Sequence, residues 1–148
     1  MKKILLVGTS GGHLTEVLTL FSEISDGNKI VFSEASPRLK TLSCKTYSQK
    51  RYPNTLLHMT LCGIKSLYII LKERPDWVIT TGAECGTSAI IAGKMLFRKT
   101  MFIETASRYR TKTMSAKICY PLVDKFYVQH RESLEIFGKK AEYIGGVL

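Results

Sequence analysis

A glycine loop near the start of the chain is the first candidate for chemistry. It reads Gly8-Thr9-Ser10-Gly11-Gly12-His13 and lies between an apolar run and an amphipathic stretch. Such a loop directs backbone N–H groups and the positive end of a helix at one place, which suits a phosphate or pyrophosphate. We expect Ser10, Gly11 and Gly12 to contact the anion and His13 to donate a hydrogen bond or act as a base. A plain glycine turn capped by His13 is the alternative.

This loop differs from the two best-known glycine-rich motifs. Ser10 and His13 stand where the dinucleotide fingerprint has its second and third glycines. The loop also lacks the Gly-Lys-Ser/Thr ending of a P-loop. The loop therefore indicates neither a nicotinamide dinucleotide site nor a nucleoside triphosphate site, and no cofactor is expected.

A second polar loop covers residues 80–87, where Gly82 and Gly86 flank Glu84. Gly82 can bring its backbone close to a ligand, and Glu84 can contact a sugar hydroxyl or a partner chain. Glu84 can equally favour the start of the helix that follows, because a negative charge is stabilised there.

A third polar loop follows Glu104, which ends an apolar run. Its basic residues Arg108, Arg110 and Lys112 alternate along the chain. Guanidinium groups bind phosphate well, often through two hydrogen bonds, so we expect Arg108 to contact a phosphate group. A solvated basic loop is the alternative. Glu104 is a second candidate base.

The elements that position these loops follow from the pattern of apolar residues. Strand-length apolar runs alternate with helical patterns, which predicts a parallel sheet with helices on both faces in one Rossmann-like domain over 1–148. Six strands are predicted, at 3–8, 29–33, 76–81, 100–104, 124–129 and 141–144. Helices are predicted at 13–25, 54–73, 86–97, 113–122 and 131–137. The basic stretch 34–53 is predicted as loop. In such sheets ligands bind beyond the carboxyl ends of the strands, where the three loops meet.

The charge of the chain favours an anionic partner. Its formal net charge is +10, and no acidic residue occurs between Glu34 and Glu73. This imbalance suits nucleic acid, an anionic membrane surface or a polyanionic substrate. Because the basic residues are dispersed and no helix-turn-helix, RNA-recognition or zinc motif is visible, nucleic acid is not expected.

Two further patterns limit the function. The four cysteines, Cys44, Cys62, Cys85 and Cys119, show no metal-ligand spacing, so reduced thiols and no metal site are expected. The apolar helix predicted at 54–73 suits packing on the sheet, or partial contact with a membrane in which Lys65 and Lys72 reach the headgroups. No uninterrupted apolar run is long enough to span a bilayer.

Several segments resemble a known family over nearly the whole chain. Residues 8–14 are similar to the first glycine loop of GT-B glycosyltransferases, including the Gly-Gly-His loop of the MurG-type enzymes. Residues 74–82, 102–108 and 114–129 resemble the membrane-recruiting subunit of two-part UDP-sugar transferases. Eukaryotic members of this family help to add the second N-acetylglucosamine to the dolichol-linked oligosaccharide. The bacterial relatives are the CpsF- and PssD-type proteins of capsule and exopolysaccharide assembly.

The resemblance implies a fold equivalent to the N-terminal half of a GT-B enzyme, with little activity alone. A separate donor-binding glycosyltransferase subunit would complete the cleft, and the acceptor would be an undecaprenyl-pyrophosphate-linked saccharide. Localisation would be peripheral, at the cytoplasmic face of a bacterial plasma membrane. Ser10, Gly11, Gly12, Gly82, Ser107 and Arg108 would hold the acceptor pyrophosphate, and His13 or Glu104 would help to deprotonate the acceptor hydroxyl.

Two departures from the eukaryotic members are visible. Those members begin with a membrane anchor, whereas the first strand here is predicted to begin at residue 3, so attachment is expected through the helix at 54–73, the basic surface or a partner. Residues 82–86 replace their Gly-Pro-Gly-type turn. The alternative function is a stand-alone nucleotide-binding Rossmann enzyme, such as a small oxidoreductase, and the missing fingerprint weighs against it.

Overall fold

The computed structural model describes residues 2–9, 11–105 and 112–144. They form one parallel sheet of seven strands in the order β3-β2-β1-β4-β5-β6-β7. The strands are β1 (Ile4–Gly8), β2 (Lys29–Glu34), β3 (Lys45–Gln49), β4 (Trp77–Thr80), β5 (Lys99–Ile103), β6 (Lys125–Val128) and β7 (Ala141–Tyr143). The helices are α1 (Gly12–Leu20), α2 (Thr55–Glu73), α3 (Ala83–Met95), α4 (Met114–Cys119) and α5 (Glu132–Phe137).

Two apolar cores lie on opposite faces of the sheet. The larger core packs α2, α3, α4 and α5 on one face and contains Phe102, Phe126 and Phe137. The smaller core packs α1 and the 3-10 helix Pro37–Thr41 on the other face, around Leu6 and Leu14. Every residue of β1 and β2 is buried, as expected for central strands covered on both faces. The predicted fold class is confirmed.

The stretch 34–53 is not wholly loop, as the sequence predicted, because it contains a 3-10 helix and strand β3. This strand reads Lys-Thr-Tyr-Ser-Gln and has no apolar alternation. It lies at the edge of the sheet, and among the described strands it pairs with β2 alone. Its side chains bind the end of α2 instead: Tyr47 Oη donates to Glu73 Oε1 (2.9 Å), and Lys45 forms an ion pair with Glu73. Polar contacts that strand patterns do not show therefore hold β3.

The helix ends differ modestly from the predicted ends. Helix α1 ends at Leu20 rather than at residue 25, and α3 begins at Ala83, three residues earlier than expected. Helix α2 follows the prediction closely because Asn54 caps it, with Asn54 Oδ1 accepting from the Leu57 N–H (3.0 Å).

Small residues let α3 lie directly on the sheet. A Cβ at Gly86 would overlap Thr80 Oγ1, and one at Gly93 would lie 3.0 Å from Val78 Cγ2. The Thr80 hydroxyl donates to Val7 O (2.7 Å) and accepts from the Gly82 N–H (3.1 Å). This packing fixes the loop between β4 and α3 at the carboxyl edge of the sheet.

Candidate functional site

The loops after β1 and β4 meet at the carboxyl edge of the sheet. Thr81 Oγ1 donates to His13 O (3.0 Å) and lies 3.5 Å from His13 Nδ1. A Cβ on Gly82 would lie 3.4 Å from His13 Cε1, so Gly82 leaves room for the imidazole. Gly82 also has a φ of 128°, which side-chain-bearing residues rarely adopt. The structure therefore brings His13 and Gly82 into contact.

The glycines at the start of α1 are exposed and have space around them. A Cβ on Gly11 or Gly12 would meet no described heavy atom within 4 Å. Gly11 has a φ of 99°, which accounts for its residue type. Neither a positive φ nor packing against described atoms requires glycine at position 12. Its missing side chain leaves the first backbone N–H groups of α1 accessible to a ligand. Ser10 lies outside the described residues.

Glu104 lies just beyond β5 and is only 1% exposed. Its Oε1 accepts from the Thr105 N–H (3.0 Å), and the Thr113 hydroxyl lies 3.3 Å from both carboxylate oxygens. Gln129 Nε2 donates to Glu104 O (3.1 Å) and to Glu16 Oε2 on α1 (2.8 Å). The carboxylate joins the two ends of the loop that follows β5. The catalytic role of Glu104 stays a prediction, and Ser107 and Arg108 lie outside the described residues.

A cavity of about 400 Å³ opens beside the glycine loop. Its walls come from the end of β1 and the first turns of α2, α3 and α4, with both apolar and polar groups. Lining residues include Thr9, Arg51, Met59, Glu84, Thr87 and Met114. His13 and Glu104 are not among them. The cavity can accept a ligand with apolar and hydroxyl-bearing parts.

A charged network reaches the wall of the cavity through Arg51 and Glu84. Arg51 Nη1 lies 2.5 Å from Glu34 Oε2 and 3.4 Å from Glu84 Oε2. His58 Nε2 lies 2.8 Å from the same Glu34 oxygen, and both His58 and Glu34 are buried. The hydrogen bond to Glu34 raises the pKa of Arg51 above its ordinary value. The guanidinium therefore stays charged at the cavity wall.

Sequence reasoning missed this network. Arg51 lies in a stretch predicted as loop, and His58 is one of several polar residues that interrupt an apolar helix. The available clue was Glu34 at a strand end, followed by an acid-free basic stretch. Glu84, which the sequence offered as a sugar contact or a helix-start residue, is in the first turn of α3 and pairs with Arg51.

Helix α2 has an unusual distribution of polarity. Its inward side includes the polar residues His58, Ser66 and Glu73, all buried. Its outer face, defined here as Leu56, Leu57, Ile64, Tyr68 and Leu71, is 47–76% exposed. The Lys65 and Lys72 ammonium groups lie 5.9 and 5.7 Å from the centre of the Tyr68 ring. Apolar side chains flanked by lysines thus face solvent.

By length and composition, α2 is apolar enough to cross a membrane, although its apolar residues do not form one uninterrupted run. Core helices of soluble proteins meet the same criterion. Here α2 packs against α3, with Ser88 Oγ donating to Met59 O (2.8 Å). The fold therefore uses α2 as a covering helix of the sheet with an apolar outer surface.

Solved structures share this architecture at low sequence identity. The S. aureus MnaA–UDP co-structure superposes with a TM-score of 0.79 at 15% identity, covering 99% of this chain and 44% of that one. The crystal structure of Acinetobacter baumannii MurG gives a TM-score of 0.78 at 12% identity, covering 99% and 46%. The chain therefore spans less than half the length of these two proteins, which show the fold alone.

Sequence comparison identifies the family. The human UDP-N-acetylglucosamine transferase subunit ALG14 is 26% identical over 98% of this chain and 82% of its own length. A profile of the family described as "Oligosaccharide biosynthesis protein Alg14 like" matches residues 44–147, which is more than two thirds of the sequence. The chain therefore belongs to the Alg14-like family of oligosaccharide biosynthesis proteins.

Proposed function

We propose that the protein is the acceptor-side, membrane-docking subunit of a two-chain UDP-sugar glycosyltransferase. The observation that carries the proposal is its similarity, over 98% of the chain, to a human protein named as a UDP-N-acetylglucosamine transferase subunit. The fold is compatible with this assignment, because the parallel sheet superposes on part of MurG with a TM-score of 0.78. A separate chain would supply the donor-binding half of the cleft.

The acceptor in this proposal is a saccharide linked to undecaprenyl pyrophosphate. Its pyrophosphate binds at the N-terminus of α1, where Gly11 and Gly12 are exposed and have open space. A helix N-terminus attracts negative charge through its N–H groups and dipole. Ser10, Gly82, Ser107 and Arg108 are the further pyrophosphate contacts in this proposal. The adjacent cavity, with its threonine and methionine walls, takes the sugar or the start of the lipid.

His13 is our candidate for the base that assists deprotonation of the acceptor hydroxyl. It is partly exposed beside Gly82, and Thr81 Oγ1 lies near its Nδ1. Glu104 is buried, and its carboxylate contacts the Thr105 N–H and the Thr113 hydroxyl, so its direct contribution would be to hold these two residues in place. A reacting hydroxyl must come within hydrogen-bond distance of its base, and this favours His13 over Glu104.

Membrane docking in this proposal uses the outer face of α2. Exposed leucine and isoleucine side chains enter the interface, while Lys65 and Lys72 reach anionic headgroups. The setting we propose is the cytoplasmic face of a bacterial plasma membrane, in capsule or exopolysaccharide assembly. The +10 charge supports binding to such a surface.

The test is sugar transfer with and without a donor-binding partner. The chain is produced alone and together with a separate chain that binds UDP-sugar, and label from UDP-N-acetylglucosamine or UDP-glucose is followed into undecaprenyl-pyrophosphate-linked saccharide in vesicles. We expect transfer only when both chains are present, and a lower rate for His13→Ala in the complex. Full turnover by the isolated chain would overturn the proposal.

A further inference from the structure

Two cysteines from different helices face each other inside the larger core. Cys62 on α2 and Cys85 on α3 are both fully buried, and their Sγ atoms lie 2.6 Å apart. A disulfide bond is ~2.05 Å long, so the two sulfurs need little movement to form one. The other two cysteines do not share this arrangement: Cys44 is partly exposed and packs against the smaller core, and Cys119 lies on α4.

We propose that Cys62 and Cys85 form an oxidation site, where an intramolecular disulfide joins α2 to α3. A peroxide is the oxidant, because a molecule little larger than water can reach the two buried thiols more readily than a bulky oxidant that itself contains a disulfide. One thiol is oxidised to a sulfenic acid, and one molecule of water is released. The second thiol then attacks that sulfur, and the hydroxyl leaves with a proton as a second water. Two thiols lose two hydrogens, and hydrogen peroxide is reduced to two waters.

A metal ion is the competing explanation for this cluster. His58 Nε2 lies 3.8 Å from Cys62 Sγ. One possible ligand atom from each of His58, Cys62 and Cys85 lies within 4.8 Å of the other two. Zinc is the usual ion for such ligands. However, two thiolates at ~2.3 Å from a tetrahedral zinc would be roughly 3.7 Å apart, much farther than observed here.

The hydrogen bonds of His58 also favour the disulfide. The Tyr52 N–H points at His58 Nδ1 (3.4 Å), so the proton belongs on Nε2, which lies 2.8 Å from Glu34 Oε2. If zinc bound Nε2, the proton would have to lie on Nδ1. There it would face the Tyr52 N–H, and two donors cannot form a hydrogen bond with each other. The imidazole is therefore already satisfied as a hydrogen-bonding group within the described structure.

The disulfide would stiffen the candidate cavity. Met59 precedes Cys62 by about one helical turn, and Glu84 is next to Cys85; both line the cavity. A covalent link between the helices fixes the distance between these two walls. Contact with Cys62 and burial both raise the pKa of the Cys85 thiol, so the reaction will be slow and will need added oxidant.

The test treats the full-length, reduced chain with hydrogen peroxide and measures its intact mass, its free thiols and a peptide map without reductant. We expect the loss of two hydrogens, a fall from four free thiols to two, a linked pair of peptides carrying Cys62 and Cys85, and reversal by dithiothreitol. The melting temperature should rise by roughly 5–10 °C, as expected for a cross-link that closes a loop of about 24 residues.

Cys62→Ala and Cys85→Ala should abolish the mass change and the thermal shift, whereas Cys44→Ser and Cys119→Ala should keep both. The wild-type peptide map gives the answer even where a variant folds poorly. Four free thiols after oxidation, or a link to any other cysteine, would overturn the proposal. So would one equivalent of zinc that protects Cys62 and Cys85 from alkylation and is released by a chelator, since this outcome assigns the cluster to a metal.

Discussion

Gly12 and Gly86 lie in early turns of α1 and α3, near the same edge of the sheet, and the fold uses them in opposite ways. The missing side chain of Gly86 is required, because a Cβ there would overlap the Thr80 hydroxyl under α3. The space around Gly12 is open, and its φ is not positive. Replacing each glycine by alanine should therefore show that Gly86 is needed for packing and that Gly12 is needed for binding a ligand.

Gly12→Ala tests the anion site directly. We expect stability to rise by up to about 1 kcal/mol, because alanine favours helix and loses less backbone entropy on folding. Binding of the pyrophosphate-linked acceptor should fall roughly tenfold, the cost of losing one hydrogen bond to a charged group. Urea unfolding and acceptor titration measure the two effects. Unchanged acceptor affinity in a stable Gly12→Ala protein would contradict the proposed contact.

Gly86→Ala is the contrasting variant. The added methyl group must displace Thr80 or lift α3 from β4, so we expect a loss of about 1–3 kcal/mol in the free energy of unfolding. Gly27→Ala serves as a control for both variants, since the nearest described heavy atom to a Cβ there is Ser25 Oγ at 3.8 Å. Equal urea midpoints for the Gly86→Ala and Gly27→Ala proteins would argue against tight packing of α3 on the sheet.

Local sequence predicted where the glycine loop lies and missed the long-range contacts of the candidate site. The glycine loop and His13 were found because glycine spacing and the strand-to-helix change are visible within six residues. The sequence placed His13 and Gly82 at the same edge of the sheet but did not predict that these two residues are in contact. The contacts of Arg51 with Glu34 and Glu84 were not predicted, because they join three separate segments that come together only when the sheet forms.

Among the elements, β3 depends on the end of α2. Glu73 receives an ion pair from Lys45 and a hydrogen bond from Tyr47, both on β3, and its Oε2 lies 3.8 Å from Lys3 Nζ. The hydrogen bond from Lys45 holds the pKa of Glu73 below its ordinary value. Its carboxylate therefore stabilises the fold above the pKa of an unfolded glutamate, and this contribution is lost as pH falls through the lowered pKa.

Glu73→Gln should weaken the acid sensitivity of the fold. The melting temperature of the wild-type protein should drop between about pH 5 and pH 3, and that of the variant should drop less over the same range. At pH 7 the variant should be less stable, because the charged contacts with β3 are removed. Thermal melts at several pH values measure this, with Glu23→Gln at an exposed position as control. Parallel pH profiles for wild type and Glu73→Gln would contradict the role of Glu73.

The outer face of α2 makes a separate prediction. Combined replacement of Leu56, Ile64 and Leu71 by serine should strongly reduce sedimentation with vesicles containing anionic lipid, while the melting temperature changes little because these side chains are mainly exposed. Ile144→Ser, an exposed apolar residue just beyond the edge strand β7, is the control. Full vesicle binding by the triple variant would exclude this face as the docking surface.

Helices and most strands were easier to predict than the edge strand β3. The bounds of α2 followed from Asn54 and Pro75, and β1 and β4 from short apolar runs. Strand β3 was missed because its neighbours on the chain are polar and its stabilising contacts come from Glu73, 24 residues beyond its end. Edge strands of this kind carry little apolar periodicity of their own.

At the scale of the whole molecule, the +10 charge should make membrane binding depend on salt. Raising NaCl from about 0.1 to 0.5 M should weaken binding to anionic vesicles several-fold, because screening shortens the range of the attraction. Neutral vesicles should bind more weakly and show little salt dependence. Competition with duplex DNA and RNA at equal charge concentration provides the control. Nucleic acid that displaces the vesicles would indicate a different class of partner.

The exposed apolar face of α2 also governs how the protein will behave when purified. In plain buffer, the leucine and isoleucine side chains that point away from the sheet can be shielded from water only by another copy or by detergent. Apparent molecular mass should therefore increase with protein concentration and return to that of one chain when a mild detergent is added. Crystallisation and kinetic measurements will both depend on whether this face is covered by another copy of the chain or by detergent.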